Sequence, residues 1–321
     1  MMIWATATLI SLGLMTAPAP AVIGGGVINV QQSSGPSAGG TALGSPGGIA
    51  VDSSGNIYVS DFFNRRIQKF SPSRTLEAIW DASTSKNVFN DGQYDCPMGI
   101  ALDRSGNAYV ADPCNNSVRL FDPSGKVIAQ WDQLGSGAAQ IYKPVDVALD
   151  SAGNVYIADA HNHRIQKLGP GGAFIARWGS EGSGNGQFYY PMGVAVDDSG
   201  NVYVSDTYNH RIQKFNSSGA FLAKWGGLGA GAAQFNRPTG IAVDGAGNVY
   251  VADVNNNRIQ KLVSGANWIT VGNGQFSRPV DVDVDGAGNI YVADTDNRSI
   301  QVLSSTGKLT ASWGDSGSVV K

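Results

Sequence analysis

Residues 206–215 read DTYNHRIQKF, and the same pattern returns from Asp61 (DFFNRRIQKF), Asp112 (DPCNNSVRLF), Asp159 (DAHNHRIQKL), Asp253 (DVNNNRIQKL) and Asp294 (DTDNRSIQVL). The intervals between successive copies are 51, 47, 47, 47 and 41 residues. A period of that size marks an array of small, similar units rather than one irregular domain. It also answers a question the segment raises by itself. Asp206, Tyr208, His210 and Arg211 are residue types that enzymes use for proton transfer and anion binding. A catalytic group is needed once per chain, whereas a structural group is needed once per unit. The repeated Asp61, Asp112, Asp159, Asp206, Asp253 and Asp294, with Asn three positions later and usually Arg five later, therefore read as scaffold.

Each unit carries the same internal pattern, clearest over residues 191–226. A first strand is expected over 194–197, a turn at Asp198-Ser199-Gly200-Asn201, and further strands over 201–206, 211–215 and 221–225. Gly200 can take positive φ, and an Asp or Asn side chain caps the neighbouring N–H groups of such a turn. The unit is thus a four-stranded antiparallel meander. In its second strand Val202 and Val204 face one way and Tyr203 and Ser205 the other, so both faces are uncharged. With charged residues at only 15% and 43 glycines, the composition suits sheets sandwiched between neighbours and joined by tight turns. Six such sheets can close radially, which leaves few exposed edges, whereas a straight stack needs polar end caps that the sequence lacks. The expected fold is all-β, a six-bladed β-propeller of four-stranded antiparallel blades over residues 46–315, followed by a short tail at 316–321.

The recurring Pro-x-Gly-[Ile/Val]-Ala-[Val/Leu]-Asp, Gly-Asn-[Ile/Val]-Tyr-[Val/Ile]-[Ala/Ser]-Asp and Asn-x-Arg-Ile-Gln-Lys resemble the NHL repeat. The resemblance implies a six-bladed propeller that acts as an interaction domain, as in extracellular bacterial sensors and the RNA- or protein-binding ends of tripartite-motif proteins. Ser117 and Ser299 depart from the pattern by replacing its Arg, and the fifth unit ends in SGANWITVGNGQF without the Trp-Gly found elsewhere. Two segments compete for the strand that closes the ring: Val27 to Val30, within an N-terminal segment 22–45, and Leu309 to Gly314.

If the shared residues are scaffold, specific chemistry belongs where the units disagree. Two residues after the repeated Asp they carry Phe63, Cys114, His161, Tyr208, Asn255 and Asp296. Just before the repeated Pro they carry Ser45, Cys96, Lys143, Tyr190, Arg237 and Arg278. Meander geometry gathers these loops on one end of the ring. The expected ligand-binding set is Phe63, Arg65, Lys143, His161, Tyr190, Tyr208, Arg237, Arg278 and Arg298, beside a smaller acidic group of Asp146, Asp281 and Asp296. A protein, peptide or glycan is the expected partner. The net charge of -3 gives no global basic field, so nucleic acid is not expected.

No metal or other cofactor is expected. His163 and His210 occupy equivalent places in adjacent units, unlike ligands converging on one ion, and the Asp-x-x-Gly-Asn turns lack the further carboxylates of a calcium loop. No nucleophile elbow or Ser-His-Asp set is present, and no catalytic residue is assigned. The alternative is a lyase, because six-bladed propellers similar to this one include the peptide-amidating and streptogramin lyases, which use His and a metal near the axis. With three His and none on an expected first strand, that match is poor.

Residues 1–21 are apolar with small residues at Ala17, Ala19 and Ala21, as in a secretory signal peptide or an N-terminal anchor. A secreted or periplasmic monomer is expected. Cys96 lies seven positions before Asp103 and Cys114 seven after Asn107, so a hairpin turning between Asp103 and Asn107 sets the two sulfurs opposite each other. A Cys96–Cys114 disulfide is expected, and it fits an oxidising compartment.

Overall fold

The computed structural model describes residues 40–81, 96–264, 267–272 and 274–314. They form six four-stranded sheets, each antiparallel with its strands in chain order. The blades span 46–81, 100–131, 144–178, 191–226, 238–271 and 279–313. Among the described residues helix is confined to three single turns, Ala160–Asn162, Thr207–Asn209 and Val254–Asn256, which follow the second strands of blades three to five. The expected signal segment 1–21, Val27 to Val30 and the tail at 316–321 lie outside the described residues. No helix among those described is long and apolar enough to cross a membrane.

Burial on both faces follows from the alternation in the second strands. In blade four Val202 and Val204 join the core shared with blade three, while Tyr203 joins the core shared with blade five. All five residues of Val202–Asp206 are buried. Aromatic side chains carry the packing from blade to blade. Trp80 stacks near Phe121 at 6.0 Å, Trp178 meets Phe215 at 6.1 Å and Trp225 meets Trp268 at 6.4 Å. In blade five the place of the outer-strand Trp is taken by Val271, which pairs with Ile259 as Trp225 pairs with Ile212.

The first strand of blade four runs Pro191–Val196, starting three residues before the expected Val194. Pro191 is opposite Asp206, and a register shift before Gly193 lets the missing proline N–H go unnoticed by the ladder. Gly193 is needed there because a Cβ would collide with the carbonyl oxygen of Thr239 in blade five.

Ring closure uses no shared sheet among the described residues. Leu309–Trp313 fills the outer edge of blade six, paired with Ser299–Leu303. Blade six then meets blade one through side chains and a few polar bonds. Trp313 touches Phe70 at 5.7 Å, Thr295 donates its hydroxyl to the carbonyl of Pro46 at 2.7 Å, and Leu43 N–H reaches the carbonyl of Gly314 at 3.2 Å. Two carboxylates complete the seam: Asp281 accepts from Ile49 N–H at 2.9 Å and Asp283 from Val51 N–H at 2.7 Å.

Candidate functional site

The end of the ring that carries the loops between second and third strands is organised by the repeated Asp. In blade four, Asp206 accepts Tyr189 N–H at 2.7 Å, the Asn209 amide at 2.9 Å, Arg211 Nε at 2.6 Å and Gln213 Nε2 at 3.0 Å. Arg211 extends its terminal nitrogens to the carbonyls of Ser183, Gly184 and Gln187 at 2.6, 2.7 and 2.9 Å. One guanidinium therefore ties the end of the second strand to the loop that enters the blade. Arg164 and Arg258 repeat this arrangement in blades three and five. Burial holds Asp206 above the usual carboxylate range even though every neighbour donates to it.

A second device joins neighbouring blades. The fourth residue after the repeated Asp is left-handed in every blade: Arg65, Asn116, His163, His210, Asn257 and Arg298 have φ between 51° and 54°. Asn116 Oδ1, His163 Nδ1, His210 Nδ1 and Asn257 Oδ1 each accept the N–H of the residue before the next blade's proline: Lys143 at 3.1 Å, Tyr190 at 3.2 Å, Arg237 at 3.1 Å and Arg278 at 2.8 Å. His163 and His210 thus do what an asparagine does elsewhere in the ring. Burial lowers the pKa of both, which keeps Nδ1 free to accept.

Around these latches the variable residues of blades three to five touch. His161 contacts Tyr142 and Tyr190 at centroid distances of 5.1 and 5.0 Å, and Tyr190 contacts His163 at 4.6 Å and Tyr208 at 5.4 Å. The Arg237 guanidinium lies over the Tyr208 ring at 4.8 Å. Tyr189 joins through Tyr190 at 5.1 Å and Tyr208 at 5.7 Å. Tyr142 and Tyr189 are 39% and 37% exposed, so the cluster presents phenol rings to solvent. Burial, with Lys143 and His163 nearby, drives the His161 pKa down to about 4, and its Nε2 is buried without a partner.

Four of the expected residues stand elsewhere on the same end. Phe63 and Arg65 belong to blade one, Arg278 and Arg298 to blade six. Arg278 pairs with Asp296 at 3.2 Å and Phe63 packs on Phe62 at 5.4 Å.

Two of the acidic residues expected on this face are not on it. Asp146 and Asp281 are only 8% and 9% exposed, and they sit in the innermost strands. Their position is glycine in the other four blades, Gly48, Gly99, Gly193 and Gly240. Asp146 accepts Val194 N–H of blade four at 2.9 Å, as Asp281 accepts from blade one. Each carboxylate lies against the preceding blade's glycine: a Cβ on Gly99 would strike Asp146, and one on Gly240 would strike Asp281. Burial pushes Asp146 up to about 7 and Asp283 to about 6, and Asp281, facing both other carboxylates, well above its usual range.

Blade two is built differently. Ser117 stands where Arg is expected, but Arg119 replaces the usual Gln two positions on, and its guanidinium pairs with Asp112. In blade six Ser299 has no such relocated Arg, and Gln301 donates to Asp294 instead. Cys96 and Cys114 form a disulfide with Cα atoms 5.5 Å apart, joining the two variable positions of blade two. Among the described residues no group of three or more His, Cys, Asp or Glu is placed to hold a metal ion. Sequence reasoning missed Tyr142, Tyr189 and the latch role of His163. The signal was available as a third variable column two residues before the proline: Gly44, Asp95, Tyr142, Tyr189, Asn236 and Ser277.

The family model for the NHL repeat matches residues 43–70, 142–168, 188–215, 235–262 and 276–303, and the chain belongs to the NHL-repeat proteins. Blade two is not among the matched stretches, yet it has the same four strands. No curated protein matches the chain. A streptogramin B lyase structure is similar with a TM-score of 0.62 at 13% identity, covering 88% of this chain and 91% of that one. A gluconolactonase from Xanthomonas campestris gives 0.61 at 16% over 79% and 84% of the two chains. A chain of a nidogen/laminin complex gives 0.60 at 17% over 80% and 92%. At these identities the likeness is one of fold.

Proposed function

We propose that the protein is a non-catalytic binding module that holds a protein, peptide or glycan partner on the end of the ring where the repeats differ. The observation that carries this reading is the contiguous cluster of Tyr142, His161, Tyr189, Tyr190 and Tyr208 with Arg237 laid over Tyr208. Tyrosine and arginine fixed by mutual packing supply large contact area at low conformational cost. A secreted or periplasmic site of action belongs to the same reading, and the Cys96–Cys114 disulfide supports it. The test is partner capture from an extract of the source cells. Tyr190→Ala with Tyr208→Ala is expected to abolish a band retained by the intact chain, with melting unchanged. Loss only with substitutions on the opposite end of the ring would sink the proposal.

A lyase is the second reading, favoured by the likeness to a streptogramin B lyase fold and by one imidazole. His161 is the His that does not serve as a latch, and its Nε2 has no protein partner. A pKa near 4 makes it a weak base at neutral pH but leaves it able to ligate a metal. Stoichiometric metal in purified protein, lost with His161→Ala, would favour the enzyme over the binding module.

A further inference from the structure

Tyrosine is used differently at the two ends of the ring. At the end with the turns between first and second strands, Tyr156, Tyr203, Tyr250 and Tyr291 donate their hydroxyls to the turn Asp at 3.2, 3.2, 3.0 and 3.1 Å. At the loop end the hydroxyls of Tyr142, Tyr189, Tyr190 and Tyr208 have no hydrogen-bond partner among the described residues. They are donors that the fold leaves to water or to a ligand. The rings themselves are fixed: Arg237 lies over Tyr208, and Tyr142, His161, Tyr190 and Tyr189 touch in a continuous row. A ligand that stacks on them has little left to order.

Apolar surface continues on both sides of the row. Leu134, 59% exposed, pairs with Ile141 in the loop that delivers Tyr142, and Leu228, 66% exposed, pairs with Phe235 in the loop that delivers Arg237. Glu181 holds the equivalent place in the loop between them, paired with Phe188 just ahead of Tyr189. Neither Glu181 nor Lys143 forms an ion pair among the described residues.

We propose that this surface of blades three to five takes a proline-rich segment of a partner polypeptide in the polyproline-II conformation, with prolines on the rings of Tyr142 and Tyr189 and an acidic flank against Lys143. The inference rests on the loop end being the binding end, and it names the partner's chemistry. A polyproline-II strand offers flat rings to aromatic faces and carbonyls that need donors, and its prolines have no N–H in search of an acceptor. The surface matches that demand. Four phenol hydroxyls and the Lys143 ammonium can donate, and Glu181 is the one carboxylate among these side chains. A sugar also stacks on tyrosine, but its hydroxyls need acceptors as well as donors, and the exposed Leu134 and Leu228 give it nothing.

The experiment uses the full chain and three fluorescent probes: decaproline with two glutamates at one end, a glycine–serine peptide of the same length and charge, and cellohexaose. The proline probe should bind about tenfold more tightly than the glycine–serine peptide. Tyr142→Ala with Tyr189→Ala should abolish that preference and leave melting unchanged, because both residues are exposed. Tyr142→Phe with Tyr189→Phe keeps the rings and should still weaken binding about threefold. Parental affinity in this variant would overturn the proposal, which rests on those donors. Lys143→Gln should weaken the proline probe about threefold at low salt, and the difference should shrink at high salt. Preferred binding of cellohexaose would overturn the assignment to a peptide. If no proline preference appeared while Tyr190→Ala with Tyr208→Ala still abolished partner capture, this proposal would fall and the binding-module reading would stand. If that capture were unaffected as well, both would fall.

Discussion

The two ends of the ring share one backbone and treat their side chains in opposite ways. At the end carrying the turns between first and second strands, every blade uses the same carboxylate for the same bonds. Asp52, Asp103, Asp150, Asp197, Asp244 and Asp285 each accept the N–H groups two and four residues on, and each accepts the amide of the Asn four residues on. These aspartates are occupied by their own turns, as their sequence context suggested. At the other end the structural duties fall on the repeated Asp, Asn and Arg and, in blades two to five, on the latch residue between Asn and Arg, and the remaining loop positions are released. Variation there carries information because the fold does not need those side chains.

The largest effect that would test this division comes from the shared residues. Asp206→Ala leaves the buried Arg211 uncompensated, and breaking such a pair costs about 3 to 5 kcal/mol. Melting followed by circular dichroism should drop on the order of 10 °C, whereas Arg237→Ala on the released positions should change it by no more than ~2 °C. An equal fall for both would erase the contrast between the ends.

Blade two, where a released position has been recruited for a covalent link, comes next. Cys96→Ser with Cys114→Ser should cost about 2 to 4 kcal/mol. Intact-mass measurement with and without reductant, on natively produced protein, should show alkylation of the two thiols only after reduction.

A smaller effect separates both ends from the axis. Asp146, Asp281 and Asp283 have folded-state pKa values raised above that of the unfolded chain. Between about pH 4 and pH 7 the native state therefore holds more protons than the unfolded state. The contribution of these groups to stability is largest below that window and falls as pH rises through it. Asp281 faces Asp146, Asp283 and the N–H groups of Ile49 and Val282, with no cation among those neighbours. The melting temperature should decline by roughly 5 °C from pH 5 to pH 8, and Asp281→Asn with Asp283→Asn should flatten that decline. An unchanged slope in the variant would assign it to other groups.

The smallest prediction sharpens the role of histidine. If His210 serves only as an acceptor, His210→Asn should melt within ~1 °C of the parent, while His210→Ala, which strands the Arg237 N–H, should lose about 1 kcal/mol.

What the sequence revealed and what it hid follow from the same division. The strands were legible because Val, Ile and Tyr alternate between turns of fixed composition, and the scaffold Asp was legible because it recurs. Pro191 was not read as strand, since a register shift before Gly193 admits it, and Gly193 itself is set by the approach of the Thr239 carbonyl from the next blade. Asp146 and Asp281 looked like surface acids because their partners, Val194 and Ile49, lie 48 and 232 residues away. The relocation of an arginine from position 117 to 119 was also hidden, because two single departures from the repeat make sense only when both side chains converge on Asp112. Apart from the Arg119–Asp112 pair within blade two, each miss concerns a contact between units, and a repeat pattern describes one unit at a time.

The seam has a mechanical consequence. Among the described residues the chain itself links blades two to six in succession, whereas blades six and one are held by contacts alone. No strand ladder among the described residues would have to be unzipped to part them. A load applied between residues 41 and 314 therefore falls first on two carboxylate bonds, one hydroxyl bond, a backbone bond and an aromatic contact. Opening there would turn the ring into a six-unit arc while every sheet remained whole.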